Sequence, residues 1–152
     1  MDTLIIFCAK YLFLVSPVML IWLFVTKSGE NRRKLGIHVL SILGLSYLLS
    51  LVARALYYSP RPFVSGNFEP LIHHIPDNGF PSDHTLIFAA IATASALFDR
   101  KIAAILWILT IVVGSARVLA GVHHTIDIVG SIVIALIAKW LVYFVLEYRK
   151  KV

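Results

Sequence analysis

Five apolar runs, set apart by short polar stretches, divide this chain. They extend from about Leu4 to Val25, Leu35 to Tyr57, Ser82 to Phe98, Ile102 to Val118 and Thr125 to Leu146. A hydrocarbon core about 30 Å thick takes roughly 20 helical residues to cross, and these runs have that length or approach it. A segment in lipid must satisfy its own backbone hydrogen bonds, which a helix does. The pattern therefore predicts an all-α protein, a polytopic membrane helix bundle of about five transmembrane helices, forming one integral membrane domain over residues 1–152. No internal repeat or low-complexity tract breaks the series.

Composition agrees with that reading and adds orientation. Hydrophobic residues make up 59% of the chain and charged residues 14%, too little charge to cover a water-soluble domain of this size. The net charge of +6 does not point to nucleic acid, because the basic residues form short clusters between the apolar runs. The stretches TKSGENRRK (26–34), DRK (99–101) and EYRKK (147–151) hold nine of the fourteen Lys and Arg residues. The positive-inside bias assigns these three to the cytoplasm. It leaves the amino terminus, the loop 60–81 and the GVHH turn on the opposite face. Lys10 and Lys139 fall inside spans and are expected to snorkel towards the interface. Cys8, the single cysteine, reads as a small hydrophobic residue without a disulfide partner. A cleavable signal is not expected, since the first residues lack a basic stretch and a small-residue cleavage site.

The polar residues left on the non-cytoplasmic side carry the functional signal. Five of the six histidines are there, with Arg54, Arg61, Arg117, Asp83 and Asp127. Three arginines on the face where the bias disfavours them call for a local anion. Arg54 and Arg61 are seven residues apart in RALYYSPRP, about two helical turns, so both can lie along one face. Pro60 and Pro62 end that helix. In FPSDHT, Pro81, Ser82 and Asp83 read as a helix start, which puts Ser82, Asp83 and His84 in a first turn whose free N–H groups suit an anion. In ARVLAGVHHTIDIVG, His123 and Asp127 are four apart and would share a helix face. The carboxylate can then hold one ring nitrogen and leave the other nucleophilic. Arg117 returns to that site only if the chain turns near Gly121. Tyr57, Tyr58, Phe63 and Phe68 read as an interfacial aromatic belt.

Taken together, Arg54-x6-Arg61-Pro62, Pro81-Ser82-Asp83-His84 and Ala116-Arg117-x5-His123-x3-Asp127 resemble the three-part signature of the type-2 phosphatidic acid phosphatase superfamily, whose core is shared with haloperoxidases. That signature is Lys-x6-Arg-Pro, Pro-Ser-Gly-His and Ser-Arg-x5-His-x3-Asp. Arg54 stands for its lysine, Ala116 for its serine and Asp83 for its glycine. The Pro-Ser-Asp-His form is similar to the bacitracin-resistance branch, whose members dephosphorylate undecaprenyl diphosphate at the outer membrane face for lipid-carrier recycling in cell wall biogenesis. The resemblance implies a covalent hydrolase. His123 is the nucleophile, Asp127 orients it, and His84 protonates the leaving oxygen and then activates water. Arg54, Arg61, Ser82, Asp83 and Arg117 form the substrate-binding set, with Asp83 expected to pair with one of the arginines and to set the clamp for a diphosphate. The scheme needs no cofactor and no metal, and the expected partners are a lipid phosphate and the bilayer rather than nucleic acid.

Other readings compete with this one. The same motifs fit a phosphatase for phosphatidylglycerophosphate or phosphatidate, or a lipid-binding homologue without catalysis. His73, His74 and His124 have no place in the signature. Together with His84, His123 and the aspartates they also suit a histidine-rich metal-binding membrane protein or transporter, although three nearby arginines would repel a cation.

Overall fold

The computed structural model describes residues 1–146, and every element longer than an isolated Pro60–Asn78 bridge is helical among them. In chain order these are α1 (Asp2–Lys10), a 3-10 turn (Leu12–Leu14), α2 (Val15–Thr26), α3 (Gly29–Leu56), the one-turn α4 (Pro62–Ser65), α5 (Asp83–Ser95), α6 (Arg100–Leu119) and α7 (Thr125–Leu146). Four segments are long and apolar enough to cross a membrane: Asp2–Thr26, Gly29–Leu56, Arg100–Leu119 and Thr125–Leu146. The last coincides with the fifth expected span, and the fourth expected span is matched within two residues. Large apolar side chains such as Leu40, Leu4 and Trp22 cover the outside, the surface that a helix bundle presents to lipid.

Three expected spans take a different form. The first, read as one run from Leu4 to Val25, breaks after Lys10 into the 3-10 turn before resuming as α2. The second starts earlier than Leu35. Glu30, Asn31, Arg32, Arg33 and Lys34 contain no helix breaker, and Lys34 closes an ion pair of 3.0 Å one turn back on Glu30. The third is only thirteen residues, about 20 Å, too short to span. It has no need to face lipid, because ten of its thirteen residues are buried and it packs against α3, α6 and α7. Ala89, Ala90, Ala92, Thr93, Ala94 and Ser95 make it slim enough for its neighbours to approach closely. A helix without a polar face belongs inside a bundle.

The connections sort to two ends. At one, Lys27 lies 4.0 Å from Asp99, so the α2–α3 and α5–α6 turns are neighbours, and the Asp99 carboxylate accepts from the Lys101 and Ile102 amides to cap α6. The basic stretch 147–151 lies outside the described residues. At the other end, the exit of α3, the start of α5, the end of α6 and the start of α7 meet under the loop 66–82.

Candidate active site

The turn between α6 and α7 carries the central pair. After Ala120 caps α6, Gly121 takes φ +77°, a left-handed conformation that a Cβ disfavours. The reversal brings Arg117 back over the residue it precedes by six: Arg117 Nη2 is 3.4 Å from His123 Nε2. Arg61 Nη1 approaches the same nitrogen at 3.4 Å. A guanidinium only donates, so Nε2 must accept and the proton sits on Nδ1. Nδ1 in turn faces Asp127 Oδ2 at 3.2 Å, and that oxygen also accepts from the His124 amide at 2.9 Å. His123 precedes α7 instead of sharing a helix face with Asp127. Asp127 occupies the third position of the helix and reaches back to its entry, as the acidic member of a capping box does.

Charge and burial act together on His123. Burial has the largest effect and, with Arg117 and Arg61 adjacent, holds the imidazole below its ordinary pKa; the Asp127 hydrogen bond opposes this without reversing it. The ring is therefore neutral at neutral pH, with the Nε2 lone pair facing two guanidiniums.

The arginines are held from several elements. Arg61 follows the end of α3 in extended backbone and is buried. It donates through Nε to Asp77 Oδ1 at 2.6 Å and through Nη1 to the Val122 carbonyl at 2.8 Å. For Asp77, burial would raise the pKa, but the hydrogen bond and charge of Arg61 outweigh it and leave the carboxyl below its usual value. Arg117, also buried, donates through Nη1 to the Ala9 carbonyl at 3.2 Å, and its buried Nε–H has no partner. Arg54 goes elsewhere. Because α3 ends at Leu56, the expected shared face with Arg61 is lost, and Arg54 Nη2 donates to Asp83 Oδ1 at 2.8 Å. That pair borders a separate cleft lined by Tyr47, Leu86 and Ile87.

Ser82 stands fully buried at the N-cap position of α5, where its Oγ accepts from Thr85 Oγ1 at 3.2 Å and does not cap the helix. Its amide donates to the Asp127 carbonyl at 3.3 Å, and Ser131 Oγ sits 2.9 Å from the Ser82 carbonyl and 2.7 Å from that of Asp127. The start of α5 is thus tied to the start of α7, which sets His84 and His123 around one space. A cavity of about 340 Å³ is lined by His84 and Arg117, with Lys10, His73 and His74. The His74 ring is 6.3 Å from that of His123, and burial, then Arg61, keeps His74 below its ordinary pKa. Among the described residues no group of three or more His, Cys, Asp and Glu side chains is placed to hold a metal ion. His124 Nε2 instead donates to the Pro60 carbonyl at 3.1 Å, fastening the entry of α7 to the exit of α3.

The PAP2 superfamily model matches residues 35–151, a stretch that contains all three motifs. The chain belongs to the PAP2 superfamily. This PAP2 chain is 36% identical over 146 residues to undecaprenyl-diphosphatase BcrC of Bacillus subtilis, covering 94% of the chain and 74% of that protein. Its fold is that of the LpxE crystal structure from Aquifex aeolicus, with a TM-score of 0.72, 24% identity, and coverage of 92% of this chain and 83% of that one. The phosphatidylglycerolphosphate phosphatase of Bacillus subtilis, a transmembrane PAP2-type protein, superposes with a TM-score of 0.65 at 22% identity, covering 99% of this chain and 76% of that one. The PAP2 chain is accordingly a multi-pass membrane protein.

Several residues of the PAP2 site escape a motif reading. Asn78 accepts from the Ser59 and Phe80 amides and donates to the Arg54 and Tyr57 carbonyls, all at 3.0–3.1 Å. The Asn78-Gly79 dipeptide is a turn signal in its own right. A Cβ on Gly79 would lie 3.0 Å from Asp127 Oδ2, so a side chain there would press that carboxylate out of place by a few tenths of an ångström. Asp77 was legible only as a spare carboxylate near surplus arginines. Phe68 also lays its ring against the Gly121 turn. Lys10, exposed at the end of α1, lines the cavity as well.

Proposed function

We propose that this PAP2 membrane phosphatase removes the terminal phosphate of undecaprenyl diphosphate, or a polyprenyl diphosphate like it, at the non-cytoplasmic face. The carrying observation is His123 Nε2, a lone pair 3.4 Å from one guanidinium on each side, with Nδ1 turned to Asp127 at 3.2 Å. A nucleophile flanked by cations fits an anionic phosphorus centre. In the first step, Nε2 attacks the terminal phosphorus. The P–N bond forms as the P–O bond to the lipid phosphate breaks, and His84 gives its proton to the leaving oxygen. In the second step, His84 takes a proton from water, the hydroxide attacks the phosphohistidine, and inorganic phosphate leaves with Nε2 restored. Asp127 stabilises the imidazole while it carries positive charge. Arg61 and Arg117 hold the equatorial oxygens, helped by Ser82 and by the α5 first-turn amides, which have no helix partner. Arg54 and Asp83 stand beside the site as a pair on the neighbouring cleft.

The substrate assignment draws on the likeness to undecaprenyl-diphosphatase BcrC. The basic turns at the opposite end of the bundle support this face. The test is phosphate release by purified protein in detergent from a panel of lipid diphosphates and monophosphates, with His123→Ala alongside. We expect undecaprenyl diphosphate to have the highest kcat/KM and the variant to lose several orders of magnitude. Preference for phosphatidate or phosphatidylglycerophosphate would overturn the substrate, and wild-type-like turnover by His123→Ala would overturn the mechanism.

A further inference from the structure

Positive charge around the cavity is offset unevenly. Arg61 is paired with Asp77 and Arg54 with Asp83. Arg117 has no carboxylate partner among the described residues; it contacts the Ala9 carbonyl and His123, and its buried Nε–H is unpartnered. Lys10 likewise forms no ion pair among the described residues, its ammonium lying 5.4 Å from the Tyr11 ring centroid. These two uncompensated cations line the same cavity, beside His84.

Lys10 is held there by structure. Ala9, its neighbour, is fully buried among Ala116, Ala120 and Val122, and the Ala9 carbonyl receives the Arg117 hydrogen bond at 3.2 Å. The backbone at Lys10 is thus tied to the residue that contacts the nucleophile, while the side chain stays exposed. Helix α1 also stops at this residue, and Phe13 of the 3-10 turn packs edge-on against the cavity-lining His84 ring, 4.8 Å between centroids. Lys10 precedes residues 35–151, the part matched by the family, and belongs to none of the three motifs.

We propose that Lys10, beside Arg117, binds the phosphate that remains on the lipid, and that it selects diphosphates over monophosphates. The proposal rests on the phosphatase reading above. The terminal phosphate sits between Arg61 and Arg117 on His123. A second phosphate, joined through the bridging oxygen, needs a further cation on the His84 side, where the leaving oxygen is protonated. A compact ammonium on a flexible stem suits that position. As the bridging P–O bond breaks, its electron pair passes to the leaving lipid phosphate, and Lys10 stabilises that charge while His84 supplies the proton.

The experiment compares kcat/KM on undecaprenyl diphosphate and on phosphatidate for the wild type, Lys10→Gln and Lys10→Arg, together with inhibition by pyrophosphate and by orthophosphate. Lys10→Gln should lower kcat/KM for the diphosphate about tenfold, the size of one charge-assisted hydrogen bond. It should weaken pyrophosphate inhibition in parallel and leave phosphatidate turnover and orthophosphate inhibition unchanged, with Lys10→Arg recovering most of the loss. An equal loss on both substrates, or none on the diphosphate, overturns the role of Lys10 while the wild type still hydrolyses the diphosphate. A wild type inactive on undecaprenyl diphosphate overturns the substrate reading, and this proposal with it.

Discussion

At the scale of single residues, each side chain of the site has one feature that decides its use. His123 is decided by its tautomer: two donor-only guanidiniums leave Nε2 no option but to accept. Its lowered pKa fixes the sign of a pH effect. In the proposed mechanism His123 attacks when neutral, so activity should persist as pH falls through 6.5, the ordinary histidine value, and be lost only below it. We expect the acid limb of kcat/KM below that pH, and a histidine NMR titration, assigned by its absence in His123→Ala, with a midpoint on the same side. In Asp127→Asn the opposing influence is gone, and the midpoint should move lower still. A midpoint above the ordinary value would contradict the buried, cation-flanked setting. Asp83 is decided by its ion pair with Arg54, 34% and 62% exposed on the two sides. Exposed pairs are weak, so Asp83→Gly should release Arg54 with an effect of only about two- to fivefold. The expected outcome is a lower ratio of diphosphate to monophosphate kcat/KM, and an unchanged ratio would reduce Asp83 to a residue of the helix start.

At the scale of elements, the turn from α6 to α7 and the short α5 do most to assemble the site. Gly121 has φ +77°, and a Cβ there would meet the Phe68 ring at 2.6 Å. Gly121→Ala should therefore cost about 1–2 kcal/mol from backbone handedness alone, with the Phe68 clash added. Thermal unfolding in detergent should show a lower Tm. Activity should fall further than stability, because Arg117 and His123 are placed by that turn; Gly121→Ala in a Phe68→Ala background should recover the part due to the ring. A Tm and kcat equal to the wild type would mean that the turn has another conformation. Helix α5 acts differently. Its small buried residues let α3, α6 and α7 close around it, and its first turn, carrying Ser82 and His84, is pinned to α7 through Ser131.

At the scale of the whole molecule, the bundle separates chemistry from topology. The reactive ends of α3, α5, α6 and α7 lie together, while the turns containing Lys27 and Asp99 lie together at the opposite end. The basic stretches of the latter predict that the site faces away from the cytoplasm. Single cysteines in the loop 64–79, placed in a Cys8→Ser background, should react with a membrane-impermeant thiol reagent in intact cells, and a cysteine at Ser28 should react only after permeabilisation. The reverse labelling would place the reaction on the cytoplasmic leaflet.

Much of this was legible along the chain, because it depends on local order. Apolar run length predicted the helices, since backbone polar groups in lipid leave little else, and it marked α7 to the residue. The spacing of the motif residues marked His84, His123, Asp127, Arg61 and Arg117, which the fold brings together near the helix ends. Local order could not show which helix is central. The run at Ser82 to Phe98 reads as a span, and only the packing of three neighbours around its small side chains makes it a buried, shorter helix. Nor could spacing divide the charges. Arg54 and Arg61 are equivalent in sequence, yet the end of α3 sends one to Asp83 and the other to His123. Lys10 is a lysine in an apolar run until the Ala9 carbonyl meets Arg117, a contact spanning more than a hundred residues. Such contacts are settled by how the helices close on one another, and no neighbour in sequence reports them.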